Sequence, residues 1–342
     1  MDWPNKKVVV TGGASFIGST LVDALIARGA RRVTVVDNLS SGKFDYIKDL
    51  ADSGKVNFDK ADITRLPVNI LKTILTGKDT IVFHLAADHG GRGYIDKNQM
   101  ACATNLMLDG MVFKACYEAG VEKVIFASSG CVYPNTLQTD PTKEVYLSED
   151  VVGPPYDADN MYGWAKLMAE KTLQAYYKDV GMKSASVRLF AVYGPRGKED
   201  HAVMAMIARA FVQQDPFQIW GNGEQVRNWT HVNDIVDGII LAAEKIDDGT
   251  AVNLGTMERT RVVDAAKYII ELAYYNPKLE FLLDKPVGPV NRVADNILAK
   301  KLLGWEPKIS FLDGVKGTYD WYSKNKDLHV VKDTLEQRLS DR

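Results

Sequence analysis

Two residues in the segment "MYGWAKLMAE" have types and a spacing that could perform acid–base chemistry. Tyr162 and Lys166 are four positions apart, so on a helix their side chains lie on one face. A free phenol has a pKa of about 10, and nearby positive charges favour its ionised form. Lowering that pKa by about three pH units requires roughly 4 kcal/mol, and Tyr162 then becomes a general base. By itself, the spacing is explained better by an ordinary amphipathic helix with a surface lysine.

A second group of polar residues follows the apolar run "KVIFA", in the segment "SSGCVYP". Ser128, Ser129 and Cys131 stand where a buried strand ends, and such a segment is unusually polar for a simple connection. Their hydroxyl and thiol groups could bind a substrate oxygen or carry a proton. For Cys131 the alternative is a small buried hydrophobic residue at the end of a strand, because free cysteines are commonly buried and inert.

A glycine-rich turn between a strand and a helix, "VVVTGGASFIGSTLV", suggests a pyrophosphate site at the helix N-terminus. The turn runs from Gly12 to Gly18, and Ser15 stands where a third glycine completes the usual pattern. Asp37 ends the second strand, where a carboxylate can bind an adenosine ribose and repel a 2′-phosphate, which favours NAD over NADP. The alternatives are a tight turn at the glycines and a turn role for Asp37. Asp62 either faces the adenine or caps a helix.

Six short apolar runs alternate with helical patterns in the first part of the chain, which predicts a parallel sheet covered on both faces. We therefore expect an α/β fold: a doubly wound parallel (Rossmann) sheet with a smaller C-terminal α/β substrate domain. The first helix is predicted over about Phe16 to Arg28. Residues 1–190, with a likely return segment at 227–256, form the predicted dinucleotide-binding domain, and 191–226 and 257–330 the substrate domain. The charged tail from Lys324 is predicted to be a solvated helix or a frayed end.

The composition sets limits on partners and location. The chain has 342 residues, 46% of them hydrophobic, and a formal net charge of -2. This balance favours neither nucleic acid nor an anionic membrane. Three cysteines without paired spacing indicate neither a disulfide framework nor a zinc site, and no metal is expected. Without a recognisable signal peptide or membrane span, the protein is predicted to be cytoplasmic.

The motifs together resemble a known family. "TGGASFIG", "DNLSSG", "HLAA", "SSGCVYP", "YGWAK", "VRLFAVYGPRG", "GNGEQVRNW" and "NRVADNILAKKLLGW" occur in the order found in the extended short-chain dehydrogenase/reductase superfamily, among its nucleotide-sugar epimerases and dehydratases. The resemblance covers nearly the whole chain. It implies a bound NAD, a nucleotide-diphosphate sugar as substrate, transient oxidation of the sugar at C4, and a homodimer.

The resemblance also implies roles for individual residues. Tyr162 is the base that takes the sugar hydroxyl proton, Lys166 lowers its pKa and holds the nicotinamide ribose, and Ser129 bonds the sugar oxygen. Substrate binding falls to His89, Arg92, Arg227 and Arg292. Beside Tyr162 and Lys166, the residues expected to contact the cofactor are Gly12, Ser15, Phe16, Ile17, Gly18, Asp37, Asn38, Asp62, Ile63, Ala86, Ala87 and Asn105.

The stereocentre that is inverted is a separate question. "AADHGGRGY" and "SSGCVYP" are most similar to GDP-mannose 3,5-epimerases, in which the cysteine and a lysine exchange protons beside a 4-keto group. Cys131 matches that cysteine, while His201 stands at the lysine position, with a loop histidine or helix cap as the alternative. Inversion at C4 needs fewer groups, so we expect a C4 epimerase, with C3/C5 epimerisation as the alternative. A reductase or a non-catalytic dinucleotide-binding scaffold is less favoured.

Overall fold

A computed structural model of the protein describes residues 1–75 and 77–340. Its described strands are β1 (Lys7–Thr11), β2 (Arg32–Asp37), β3 (Val56–Lys60), β4 (Thr80–His84), β5 (Lys123–Ser129), β6 (Ser184–Leu189), β7 (Val192–Tyr193), β8 (Phe217–Trp220), β9 (Val226–Arg227), β10 (Thr230–His231), β11 (Asp248–Leu254), β12 (Thr260–Arg261), β13 (Leu279–Leu282) and β14 (Asn291–Arg292). Its described helices are α1 (Phe16–Ala27), α2 (Lys48–Asp52), α3 (Val68–Ile74), α4 (Arg92–Lys97), α5 (Gln99–Ala103), α6 (Asn105–Ala119), α7 (Asn160–Val180), α8 (Ala202–Phe211), α9 (Val232–Lys245), α10 (Val262–Leu272), α11 (Ile297–Leu303), α12 (Phe311–Asn325), α13 (Leu328–Asp333) and α14 (Leu335–Ser340).

Seven of these strands form one parallel sheet in the order β11-β6-β5-β4-β1-β2-β3. The predicted doubly wound α/β fold and its six predicted strands are confirmed. The seventh strand, β11, lies inside the predicted return segment. The strand order reverses between β1 and β4, and in such sheets ligands bind at the carboxyl ends of the strands beside this reversal.

Alternating residues of the strands face two separate cores, which is why the strands are apolar along their whole length. Val8 and Val10 of β1 pack with α1 and α9, whereas Val9 packs on the other face with α6 and α7. The helices on both faces hold the carboxyl ends of β1, β4 and β5 in fixed positions. The segment after β10 thus returns to the first core, as the sequence suggested, while the predicted domain limits remain a prediction.

The C-terminal part builds its own core. Buried side chains from α8, β8, α10 and α12 meet there, and Val331, Leu335 and Leu339 of the last two helices are buried among them. The prediction that the tail is solvated or frayed is therefore wrong for the part described. The reason is that its apolar residues fall on one helical face, which the charged residues obscure in the sequence. Within the described residues, no helix is both long and apolar enough to cross a membrane.

Candidate active site

The glycine turn after β1 is a tight cradle that admits no side chain at its glycines. Gly12 has a φ of +71°, and a Cβ there would lie 2.8 Å from the backbone nitrogen of Ala86. A Cβ on Gly18 would lie 2.1 Å from the carbonyl oxygen of Gly12. Ser15 has extended backbone angles (φ −89°, ψ −178°), which any residue adopts. This explains why a serine is accepted at the position where the pattern has a glycine.

Ser15 also closes the turn and precedes the first turn of α1. Its hydroxyl donates to the Gly12 carbonyl oxygen at 2.6 Å. The first amides of a helix have no partner within that helix and carry the positive end of its dipole. Ser15, Phe16 and Ile17 line the cleft in front of these amides. The cradle therefore fits the pyrophosphate of a dinucleotide, although the contacts of individual residues with it remain predictions.

Asp37, at the end of β2, stabilises this turn through two hydrogen bonds. Its carboxylate accepts hydrogen bonds from the backbone nitrogens of Ala14 (3.0 Å) and Leu39 (2.8 Å). Burial raises the pKa of Asp37 above its ordinary value, against the lowering effect of these two bonds. Asp37 therefore has the turn role that the sequence analysis gave as its alternative. Its predicted contact with the ribose remains a prediction.

Other predicted cofactor residues hold local structure in the protein alone. Asp62 caps the short 3₁₀ helix Ile63–Arg65 by accepting from the Thr64 nitrogen at 3.1 Å. Asn38 accepts from the Ser40 nitrogen at 2.9 Å. The fully buried Asn105 side chain bonds the backbone of Asp88 at 2.7 and 2.9 Å. These contacts fix the loops after β2, β3 and β4, and any contact of the same residues with a cofactor remains a prediction.

Helix α7 carries both residues of the predicted acid–base pair. The Lys166 Nζ lies 5.7 Å from the centre of the Tyr162 ring and 4.5 Å from the centre of the Phe126 ring. Burial raises the pKa of Tyr162 above its ordinary value, while a hydrogen bond with Ser129 lowers it. Burial also lowers the pKa of Lys166. In the protein alone, loss of water therefore keeps the pKa of Tyr162 high. The predicted low pKa, which also needs the positive charge of an oxidised nicotinamide ring, remains a prediction.

The two serines at the end of β5 have different surroundings. The Ser129 oxygen accepts from the Cys131 nitrogen at 3.1 Å and lines the cleft. Ser128 is buried and donates to the carboxylate of Glu170. Glu170 in turn accepts two hydrogen bonds from Arg188, at 3.0 and 2.9 Å. Both serines line the cleft, but the Ser128 hydroxyl is engaged in a buried ionic network, whereas Ser129 is placed for a ligand.

Cys131 lies on the wall of the cleft, beside a guanidinium group. Its sulfur is 3.2 Å from Nη1 of Arg292, and its side chain is nearly buried. Arg292 also donates to Gln138 at 2.6 Å and to Asp159 at 2.9 Å. The thiol is therefore in contact with a positive charge as well as with apolar neighbours. Its predicted catalytic role remains a prediction.

The three arginines predicted to bind substrate meet around Asp159. Arg92 donates to Asp159 at 2.7 Å and to Asp96 at 2.9 Å. Arg227 donates to the Val287 carbonyl at 2.8 Å. Its pKa is lowered to about 9 by burial and by the neighbouring Arg292 and Arg92. Three guanidinium groups against two carboxylates leave excess positive charge, which favours an anionic ligand.

Asp159 is a site residue that the sequence reasoning missed. Burial acts to raise its pKa, but Arg292 and Arg92 together bring it below its ordinary value. Its backbone nitrogen donates to the Cys131 carbonyl at 2.8 Å, and it occupies the N-cap position of α7. The available signal was an acidic residue three positions before Tyr162, at the predicted start of the helix.

Two histidines extend from Tyr162 along the same cleft. The His89 ring centre is 6.3 Å from that of Tyr162 and 6.2 Å from that of His201. His201 occupies the N-cap position of α8, but its side chain makes no capping hydrogen bond. His201 is therefore a helix cap by its backbone position only. The role of its imidazole remains a prediction.

A single cleft joins most of these residues. Its described lining includes Ser15, Phe16, Ile17, Ala87, His89, Arg92, Ser129, Cys131, Tyr162, Lys166, His201, Arg227 and Arg292. A dinucleotide cradle, an acid–base pair and a cationic cluster thus open onto one space.

Comparisons with known proteins identify the family. Residues 8–255 match the model of the NAD dependent epimerase/dehydratase family. The chain is 31% identical to the GDP-mannose 3,5-epimerase of Arabidopsis thaliana, covering 96% of this chain and 86% of that protein. It is 30% identical to the UDP-glucose 4-epimerase of Mycolicibacterium smegmatis, covering 94% and 99% of the two chains.

Solved structures agree with this result. The UDP-glucuronic acid 4-epimerase of Bacillus cereus, in complex with UDP-glucuronic acid and NAD, superimposes with a TM-score of 0.83 at 28% identity, covering 94% of this chain and all of that one. The UDP-glucose 4-epimerase of Thermotoga maritima, with UDP-glucose, gives a TM-score of 0.80 at 29% identity, covering 93% and 99%. The chain therefore belongs to the NAD-dependent epimerase/dehydratase family, and its cofactor is NAD.

Proposed function

We propose that this protein is a nucleotide-diphosphate-sugar epimerase that oxidises its sugar transiently at C4 and inverts that centre. One observation carries the proposal: Ser129, Tyr162 and Lys166 share a cleft with the glycine cradle and with the cationic cluster. A sugar diphosphate in this cleft has its reacting carbon beside the phenol and its charged end among the arginines. Relatives that act on UDP-glucose and UDP-glucuronate support the same class of substrate.

The protein's own residues handle the proton and the oxygen. Bound NAD supplies a reversible hydride acceptor. Tyr162 takes the proton from the C4 hydroxyl and returns it when the alcohol is restored, and Ser129 holds that oxygen by a hydrogen bond. Because burial raises the pKa of Tyr162, ionisation of the phenol requires added positive charge in the cleft. Lys166 contributes part of that charge, and the positive ring of oxidised NAD would supply the rest.

The arginine cluster is assigned to the diphosphate. Arg227 and Arg292 are the proposed direct ligands, because a planar guanidinium donates two hydrogen bonds to phosphate oxygens at once. Arg92 pairs with two carboxylates, Asp96 and Asp159, whereas the ion pair described for Arg292 is with Asp159. We therefore assign Arg92 to orienting the cluster and assign direct phosphate contact to the other two arginines.

C3/C5 epimerisation is the second candidate, and a specific observation favours it. Cys131 and His201, which C4 inversion does not need, line the same cleft as Tyr162, with His89 between the phenol and His201. A C4 ketone acidifies the hydrogens at C3 and C5, so a thiol and an imidazole could remove and return those protons. Similarity to GDP-mannose 3,5-epimerases supports this alternative.

The two candidates differ in their exchange with solvent. The purified protein is incubated with UDP-, GDP- and ADP-hexoses in deuterated water, and the products are analysed by NMR. Inversion at C4 by return of the same hydride leaves every carbon-bound hydrogen unexchanged. Deuterium at C3 or C5 identifies the second candidate and rejects the first. A bound cofactor that denaturation releases as NADPH would instead indicate a net reductase.

Replacement of Tyr162 by phenylalanine tests the shared part of the mechanism. We expect Tyr162→Phe to lower kcat by about 10³-fold or more, because proton transfer by a positioned group contributes about 10²–10⁴-fold. NAD should remain bound, since the phenyl ring fills the same space. Tyr274→Phe, at a residue that is almost fully exposed, is the matched control. Full activity of Tyr162→Phe rejects the mechanism, whereas no turnover of any donor by the natural protein favours a scaffold function.

We also propose that the protein is a homodimer that pairs through α6 and α7. These neighbouring helices expose large apolar side chains, namely Leu106, Met107, Tyr117, Trp164, Met168 and Tyr177. An apolar surface of this kind marks an interface more often than a free surface. Sedimentation should show dimers for the natural protein and monomers for Met107→Lys, with Ile70→Lys on α3 as the control.

A further inference from the structure

A chain of buried polar groups lies beneath the cleft, and the proposed mechanism does not use it. The hydroxyl of Thr11 is 2.6 Å from Nδ1 of His84, and Nε2 of His84 is 2.9 Å from Oδ1 of Asp109. Thr11 and His84 are fully buried, and Asp109 is 2% exposed. The chain begins at the cofactor cradle, because the Thr11 hydroxyl also accepts from the Ala86 nitrogen at 3.2 Å.

The hydrogens of this chain can be assigned in one consistent way. The Ala86 amide donates to Thr11, so the Thr11 hydroxyl hydrogen is free to go to Nδ1 of His84. The Nε2 hydrogen of His84 then goes to Asp109.

The second oxygen of Asp109 calls for an explanation. Oδ2 is buried and has no hydrogen-bond partner among the described residues. A buried carboxylate oxygen without a partner destabilises the fold unless a positive charge nearby compensates it. We therefore expect a positive charge close to the carboxylate.

Lys166 is a buried cation in the same part of the molecule. Its side chain is 1% exposed, and its Nζ lies 4.5 Å from the centre of the Phe126 ring. The His84 ring centre lies 5.9 Å from the same ring. Phe126 therefore has the ammonium and the His84 ring as near neighbours, and His84 binds Asp109. An ammonium this deeply buried loses most of its hydration and needs a counter-charge.

The other charged groups around Lys166 are already engaged. Glu170, one turn further along α7, is bound by Arg188 and Ser128, and the Cys131 thiol contacts Arg292. Tyr162 is the remaining titratable neighbour, and Cys131, Asp109 and Cys102 act to raise its pKa. Burial lowers the pKa of Lys166, and the carboxylate of Asp109 is the strongest of the groups that oppose this, ahead of Cys131 and Glu170.

We propose that Asp109, oriented by His84, is a positioning residue whose carboxylate keeps the buried Lys166 ammonium charged at neutral pH. The inference deepens the proposed function, on which it rests for the role of Lys166. It assigns to α6 a part of the acid–base machinery that α7 carries. Lys166 then stays positive beside Tyr162 although water is excluded.

The test reads the charge of Lys166 directly in the NAD-bound protein. The protein is labelled with ¹³C-lysine, and the Lys166 signal is assigned by its loss in Lys166→Met. We expect the titration midpoint of Lys166 to lie above pH 7 and to fall by about one pH unit or more in Asp109→Asn, which keeps the shape but removes the charge. No turnover is needed, so the result stands apart from failure of the proposed epimerase activity.

Cys116→Ser is the matched control. Cys116 is buried on the same helix, α6, and its replacement disturbs packing without changing charge, so its Lys166 midpoint should not move. If Asp109→Asn does not fold, the smaller Asp109→Ser replaces it. A midpoint below pH 7 in the natural protein overturns the proposal, as does an unchanged midpoint in a folded Asp109 variant or an equal fall in Cys116→Ser.

Discussion

Two ionic networks lie close to α7, and they differ in charge balance. The first, the Glu170 network, consists of Ser128, Glu170, Arg188 and Tyr133. Its one carboxylate faces its one guanidinium through two parallel hydrogen bonds. The second, the Asp159 network, consists of Asp96, Asp159, Arg92, Arg227 and Arg292, with three guanidinium groups against two carboxylates. The charges of the Glu170 network balance within the protein, whereas the Asp159 network has an excess of positive charge.

Their positions match this difference. Glu170 and Arg188 are buried, while the three arginines of the Asp159 network line the cleft. A buried ion pair with balanced charges holds strands and helices in place. Removing one partner lowers the free energy of unfolding substantially. A network with excess charge beside open space is suited to an anionic ligand, such as the diphosphate of the proposed substrate. The comparison therefore predicts that one network stabilises the fold and the other binds substrate.

The largest effect is expected from Arg188→Met. This change leaves Glu170, which is 1% exposed, as a buried carboxylate without its partner. Loss of one member of a buried pair costs about 3–5 kcal/mol, so the free energy of unfolding measured in urea should fall by that amount. A change below about 1 kcal/mol would remove the structural role assigned to the Glu170 network.

Arg292→Met should show the opposite pattern. Hydrogen bonds to a charged group contribute about 1.5–3 kcal/mol, so we expect KM for the nucleotide sugar to rise by roughly 10–100-fold. Asp159 keeps Arg92 as a partner, and the free energy of unfolding should change by only about 1 kcal/mol. Steady-state kinetics and urea unfolding of the same preparation check both parts. Equal KM values in Arg292→Met and the natural protein contradict the diphosphate assignment.

The smallest effect is a change in acid stability. Arg292 and Arg92 hold the pKa of Asp159 below its ordinary value of 3.8. A carboxyl with a depressed pKa in the folded state adds stability above its unfolded pKa, and that stability is lost as the pH falls through the folded pKa. Asp159→Asn lacks this contribution, so its stability should be lower near pH 6 and approach that of the natural protein below about pH 4. Urea unfolding across this range measures the difference, and parallel curves contradict it.

Much of the fold followed from local patterns in the sequence. Six strands, the first helix and the glycine cradle were predicted, because a parallel sheet needs continuous apolar strands and a pyrophosphate turn needs glycines at set positions. The tail was mispredicted, because its few apolar residues become buried only by packing with α8 and α12, which the sequence pattern does not show. The strand β11 was covered by the return segment but not recognised as a strand by itself.

The candidate site was predictable in its residue types and less so in its electrostatics. Tyr162, Lys166, Ser129 and the arginines were found by motif, and the structure brings them to one cleft. Asp159 and Asp109 were missed, because neither stands in a motif and each acquires its role from partners far away in the chain. The low pKa predicted for Tyr162 remains a prediction, and spacing along a helix says nothing about the burial that raises this pKa in the protein alone.

The sequence by itself determined the alternation of strands and helices in the first part of the chain, the cradle and the choice of residues proposed for acid–base chemistry. These depend on periodicity, on backbone freedom at glycine and on spacing within one helix. Only the tertiary structure decided which charges are paired and which remain open, as in Glu170 with Arg188 and Asp159 with three arginines. The reason is that electrostatic energy depends on distance and burial, and both are set by packing between segments that lie far apart in the chain.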